Sequence, residues 1–181
     1  MASATARPAA TCFCRLANAT PLFSYPKILM LGQLWHFFQS AVGVVLRHPV
    51  VGATVIPVLA DGRIVLVKRR DSGRWSLPGG MIDWGENITK TVHREIEEET
   101  GLGVTAIRRL VGVYSSPERD PRFHAISILI EAEVTGEFKV QDQIEIKNAK
   151  AFKREDIVLE DLAHDHARHL ADYFDGKTVL A

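Results

Sequence analysis

The 181-residue chain is 46% hydrophobic and 24% charged. These are ordinary values for a globular protein long enough to bury one sizeable core. Its 22 basic residues balance its 22 acidic ones, so no general attraction to nucleic acid or an anionic membrane follows, and no nucleic-acid partner is expected. The balance is uneven along the chain. Arg7, Arg15, Lys27 and Arg47 precede Asp61, whereas no acid does, so the remainder carries four more acids than bases. The only cysteines, Cys12 and Cys14, lie near the start with no second pair or adjacent His to complete a metal site. The rest needs no oxidising compartment.

Residues 1–20 are rich in Ala, Ser, Thr and Arg and lack acids, a composition shared by flexible tails and organelle transit peptides. Residues 1–25 are therefore expected to be a flexible tail or targeting segment. The expected location is the cytoplasm, or an organelle if residues 1–20 act as a transit peptide. Residues 28–46 carry no charge, but Gln33, His36, Gln39 and Ser40 recur at helical spacing as one polar stripe. This predicts an apolar helix over 26–48, resting on the domain, on a second copy in a homodimer or on a membrane surface, in preference to a transmembrane span.

From Gly52 the pattern changes. GATVIPVL and RIVLVKRR are β-branched apolar runs joined by Asp61-Gly62, which predicts a hairpin. A turn-rich stretch with Trp75 and Pro78-Gly79-Gly80 follows. Residues 87–100 read as a helix capped by Gly101. Strands are expected over 104–114, 125–134 and 144–152, then a helix over 161–174. Strands and helices interleave without a repeat, which points to an α+β fold, an α/β/α sandwich.

The 87–100 helix carries the chemistry. At about 100° per residue, Ile88, Val92 and Ile96 form one apolar stripe. Glu95 and Glu99 fall inside that stripe, Glu98 beside it and Glu97 opposite. An acidic surface helix would not place acids on its packing face. Burying like charges unpaired costs several kcal/mol. Arg94 offers one positive charge, and oxygen ligands for Mg²⁺ or Mn²⁺ account for the rest.

Gly80, Glu86, Arg94-Glu95-Ile96, Glu98-Glu99 and Gly101-Leu102 fill all nine fixed positions of a 23-residue pattern. In this the chain resembles the Nudix hydrolases, most clearly over these residues and more weakly from Gly52 to Phe174. The resemblance implies a Nudix-type mixed sheet with flanking helices over 50–178. It also implies magnesium-dependent hydrolysis of a nucleoside diphosphate derivative. By the same resemblance, Glu95, Glu98, Glu99 and the Gly80 carbonyl would ligate the metal, with Glu86 and Arg94 orienting them. A further acid is expected downstream, Glu145 first and Asp142 or Glu118 next. Glu98 or that acid would be the general base.

Pro117 stands 16 residues after Gly101, within GVYSSPERDPRFH. This resembles the ADP-ribose pyrophosphatase subgroup and implies cleavage of ADP-ribose to AMP and ribose 5-phosphate. A sanitising hydrolase of nucleoside triphosphates, the MutT type, is the alternative. A non-catalytic nucleotide-binding module is the alternative of another class. Expected substrate contacts are Arg69, Arg70, Trp75, Pro117, Arg119 and Arg122. Trp75, Trp84, Tyr114 and Phe123 are the rings available to stack a base. His164, Asp165, His166 and His169 lack a defined zinc ligand set and read as a solvated helix face.

Overall fold

The computed structural model describes residues 48–120 and 124–181. The expected tail and all but the last residue of the expected 26–48 helix lie outside them, as do Arg122 and Phe123. Among the described residues, no helix is long and apolar enough to cross a membrane.

The hairpin forms where Asp61-Gly62 predicts it. Strand β1 (Val50–Val58) turns into β2 (Ile64–Arg69) with Gly62 at φ 82°, a conformation open chiefly to glycine. The two strands are in register only at Val58 and Ile64, then splay apart. The segment between β2 and the long helix fills the splay. Strand β3 (Trp75–Ser76) pairs with β2, and β4 (Gly79–Met81) pairs with the start of β1. The Pro78-Gly79-Gly80 turn therefore stands where the sheet opens.

Helix α1 (Ile88–Thr100) starts at Asn87, whose side chain accepts the Lys90 N–H, and ends at Gly101, left-handed at φ 79°. A Cβ on Gly101 would lie 2.5 Å from the Lys139 backbone, so both conformation and space demand glycine there. Strands β5 (Gly103–Tyr114) and β6 (Ala125–Thr135) are antiparallel, and β6 runs parallel to β1 along its whole length. Strand β7 (Ile146–Phe152) pairs with β2, and β8 (Val179–Leu180) with β5.

Successive residues of the strands enter different cores. Val55, Val65 and Ile130 pack with Val92 and Ile96 of α1. Their neighbours Ile56, Ile64, Leu66 and Leu129 pack with Leu162 and Leu170. The second group includes helix α2 (His166–Phe174). With both faces covered, the sheet is the middle layer of the expected sandwich. The last helix is shorter than 161–174. A 3₁₀ turn ends at Asp161 and His164 sits at φ 55°, which excludes helix there.

Candidate active site

A cleft of about 460 Å³ opens at the start of β1, lined by Gly80, Glu95, Glu98, Glu99 and Glu145 among others. Five parts of the chain build it: β4 with Asp83 just after it, α1, the end of β2 at Arg69, the approach to β7, and His164 just before α2. The helical phase read from the sequence holds. Glu95 is 8% exposed and Glu99 5%, Glu97 faces solvent, and Glu98 keeps nearly half of its side chain open.

Glycine lets these acids reach the turn. A Cβ on Gly79, at φ 148°, would stand 2.3 Å from the Ala53 carbonyl oxygen. A Cβ on Gly80 would stand 2.2 Å from Glu95 Oε1. The Gly79 N–H donates to Glu99 Oε2 at 3.0 Å, so the turn and the helix hold each other.

Arg94 links the carboxylates. Its Nη1 donates to Glu95 Oε1 at 2.7 Å and to Glu98 Oε2 at 3.2 Å. Its Nη2 donates to the Met81 carbonyl at 3.0 Å and to Glu86 Oε2 at 3.2 Å. Glu86 also accepts the Thr91 hydroxyl at 2.9 Å. The Arg94 hydrogen bonds hold the Glu86 carboxyl down at about 2, a permanent anion. Glu99 differs. Burial, with the charges of Glu95 and Glu145 adding to it, pushes its carboxyl up to about 8 against the Gly79 bond and Arg69. Burial raises Glu95 as well, opposed by Arg94. One arginine cannot neutralise this set, so buried oxygens around a tight glycine turn fit a hard divalent cation.

Downstream, both Glu145 and Asp142 line the cleft, whereas Glu118 does not. The backbone N–H groups of Gln141 and Asp142 both donate to the Glu98 carbonyl at 2.8 Å, which ties that loop to α1. Asp142 Oδ1 accepts the N–H groups of Ile144 and Glu145 and shapes the turn that presents Glu145. Asp83 and His164 also line the cleft. Asp83 stands at a free position of the 23-residue pattern and His164 lies outside it, so the pattern carried no signal for either.

The expected substrate contacts divide. Arg69 lines the cleft while paired with Asp71. Arg70 is exposed beside it, its N–H donating to the Glu145 carbonyl. Trp75 faces the core instead, edge-on to Phe152 at 4.8 Å. Pro117 opens a short 3₁₀ turn. Arg119 turns inward, bonded to both Asp165 oxygens at 2.6 and 3.1 Å and to the Tyr114 carbonyl at 2.6 Å. Tyr114 is fully buried and donates to Asp172, so its ring cannot stack a base. Trp84 is fully exposed beside Asp83.

The reading of His164 to His169 as a solvated face is corrected. His169 is completely buried and Asp165 and His166 are half-buried, because α2 turns this side onto the sheet. Ligand atoms of Asp165, His166 and His169 lie within 4.8 Å of one another. The set is closed, however, since Arg119 holds Asp165 and His166 Nδ1 accepts the Leu77 N–H at 3.0 Å. Burial depresses the His166 imidazole to about 3, so it stays a neutral acceptor.

Residues 48–173 match the NUDIX domain. The chain belongs to the NUDIX family. It is 42% identical over 134 residues, 72% of this chain and 76% of the relative, to the ADP-ribose pyrophosphatase of Methanocaldococcus jannaschii. Over 99 residues, 55% of this chain and 63% of the relative, it is 37% identical to a putative 8-oxo-dGTP diphosphatase of Bacillus subtilis. Among solved structures, the fold resembles the NUDIX domain of Shewanella oneidensis NrtR complexed with ADP ribose. That match has a TM-score of 0.64 and 22% identity, over 73% of this chain and 90% of the other.

Proposed function

We propose that this Nudix pyrophosphohydrolase cleaves ADP-ribose to AMP and ribose 5-phosphate with the help of Mg²⁺ or Mn²⁺. The observation that carries the reading is the set of Glu95, Glu98 and Glu99 packed against the Gly79-Gly80 turn, more acid than Arg94 can balance. The 42% identity to an ADP-ribose pyrophosphatase supports the choice of substrate.

Glu95, Glu98, Glu99 and the Gly80 carbonyl would hold the cation, with Glu145 at the facing wall. When bound, it supplies charge to the phosphate oxygens and acidity to a water. The chain's residues do the rest. Glu98, the open member of the set, takes the proton of the water whose oxygen attacks phosphorus. The bridging P–O bond breaks and its electrons leave with the departing phosphate. Arg94 keeps Glu95 and Glu98 aimed, and Glu86 keeps Arg94 aimed. Arg69 and Arg70 contribute positive charge to the diphosphate. Trp84 offers a free ring at the rim for the adenine. Substrate contacts from Arg122 belong to the same proposal, as do a cytoplasmic location and a homodimer.

The test is kcat/KM across ADP-ribose, NADH, diadenosine polyphosphates, dGTP and oxidised dGTP, with products identified. ADP-ribose should lead, since polar groups left unpaired by a missing second ribose cost about a hundredfold. A triphosphate ahead by tenfold would replace this reading with the sanitising one, which the 37% relative favours. Binding of ADP-ribose without turnover would make the domain a receptor.

A further inference from the structure

We infer that His166 is a positioning residue for the metal turn, set in place by the Arg119–Asp165 pair. The inference rests on the metal role proposed for the α1 glutamates.

The turn between β3 and β4 has few backbone donors. Pro78 has none. Gly79 gives its N–H to Glu99 on α1, and Leu77 gives its N–H to His166 Nδ1 on α2. The two helices lie on opposite faces of the sheet, so the turn is held from both sides. Other bonds clamp the α2 side. The Ala163 N–H donates to the Trp75 carbonyl at 2.7 Å, and Arg74 donates to the Leu162 carbonyl.

Asp165 precedes α2 but makes no side-chain capping bond. Its carboxylate is committed to Arg119 from both sides and to His169 Nε2 at 3.3 Å. Arg119 is itself tied to the Tyr114 carbonyl. The loop after β5 thus fixes the start of α2, and the start of α2 fixes where Leu77 presents the turn. A shift of the turn would move the Gly80 carbonyl away from Glu95, which already stands close enough to exclude a Cβ. Arg119 accordingly acts at a distance from the substrate.

Mn²⁺ binding to the full chain without substrate, followed by electron paramagnetic resonance, tests this alongside melting temperature and ADP-ribose kinetics. His166→Phe keeps the bulk and loses the acceptor. It should weaken Mn²⁺ about tenfold or more, the usual scale for partners behind a ligand, and lower kcat more than it changes KM. His166→Asn, whose Oδ1 stands in for Nδ1, should restore Mn²⁺ affinity to within about threefold. Leu170→Ala, a core truncation in the same helix, should lower the melting temperature and leave Mn²⁺ affinity unchanged. If His166→Phe does not fold, Arg119→Lys, which loses the two-pronged bond to Asp165, should weaken Mn²⁺ about threefold. Wild-type Mn²⁺ affinity in the His166 and Arg119 variants overturns the inference, as does an equal loss in Leu170→Ala. A wild-type protein that binds no Mn²⁺ overturns the metal reading first, a separate failure.

Discussion

Within one helix, four glutamates in five positions have four different environments. Glu97 is in water, Glu98 is half open beside Arg94, Glu95 is bonded to Arg94, and Glu99 is buried against a backbone N–H. Glu98→Gln should lower kcat by about a hundredfold or more with the fold intact, because it removes a cleft-facing charge and the base. Glu97→Gln should leave kcat unchanged. Equal losses in steady-state kinetics would refute the assignment of roles. Gly80→Ala gives a sharper steric test. The three atoms nearest the new Cβ all belong to the movable carboxyl end of Glu95, so melting temperature should hold while Mn²⁺ affinity and kcat collapse. A variant that binds Mn²⁺ normally would show that the close approach is incidental.

Glu99 also carries a pH dependence. Its carboxyl rises from 4.5 to about 8, mainly through burial, so the folded protein without metal prefers it protonated. A raised value stabilises the fold below the unfolded value and loses that contribution as pH climbs through 8. Without metal, the melting temperature of wild type relative to Glu99→Gln should therefore fall between pH 4.5 and about 8 and level off above it. Mg²⁺ should reverse the fall by taking the proton's place. A flat difference in calorimetry would mean that Glu99 is already ionised.

At the scale of elements, α1 and β4 with the loop after it form one mechanical unit. Arg94 bridges them through the Met81 carbonyl and Glu86. Arg94→Ala leaves Glu86, Glu95 and Glu98 without their shared cation and should destabilise the fold. Chemical denaturation should show the loss, and Mg²⁺ should recover part of it by neutralising the same carboxylates. Absence of any recovery would separate the stabilising role of Arg94 from the metal site.

For the whole molecule, the two cores described here lie within residues 48–181, on either side of one sheet. Deleting residues 1–24 should leave kcat/KM within about twofold of wild type, because a tail without a core pattern contributes no packing. Deleting through Leu46 removes the predicted apolar helix and should bring aggregation or dissociation, measured by light scattering. A monodisperse, active protein starting near Val50 would make that helix dispensable.

The sequence by itself determined what is local and periodic. Alternating β-branched residues, the Asp61-Gly62 turn, the Asn87 and Gly101 caps and the phase of the glutamates depend on neighbours within a few positions. The cleft-lining glutamates Glu95, Glu98 and Glu99 were legible for that reason, since they share one helix. The tertiary structure alone decided the rest. Splaying of β1 from β2 admits β4, parallel pairing of β1 with β6 spans the chain, and the left-handed His164 shortens the last helix. The same long-range packing turned Arg119 and Tyr114 inward and buried His169. The partners of Tyr114 and Arg119, on α2 and just before it, lie some fifty positions away. No local pattern encodes a contact at that separation, because burial there is set by which layer folds over the sheet.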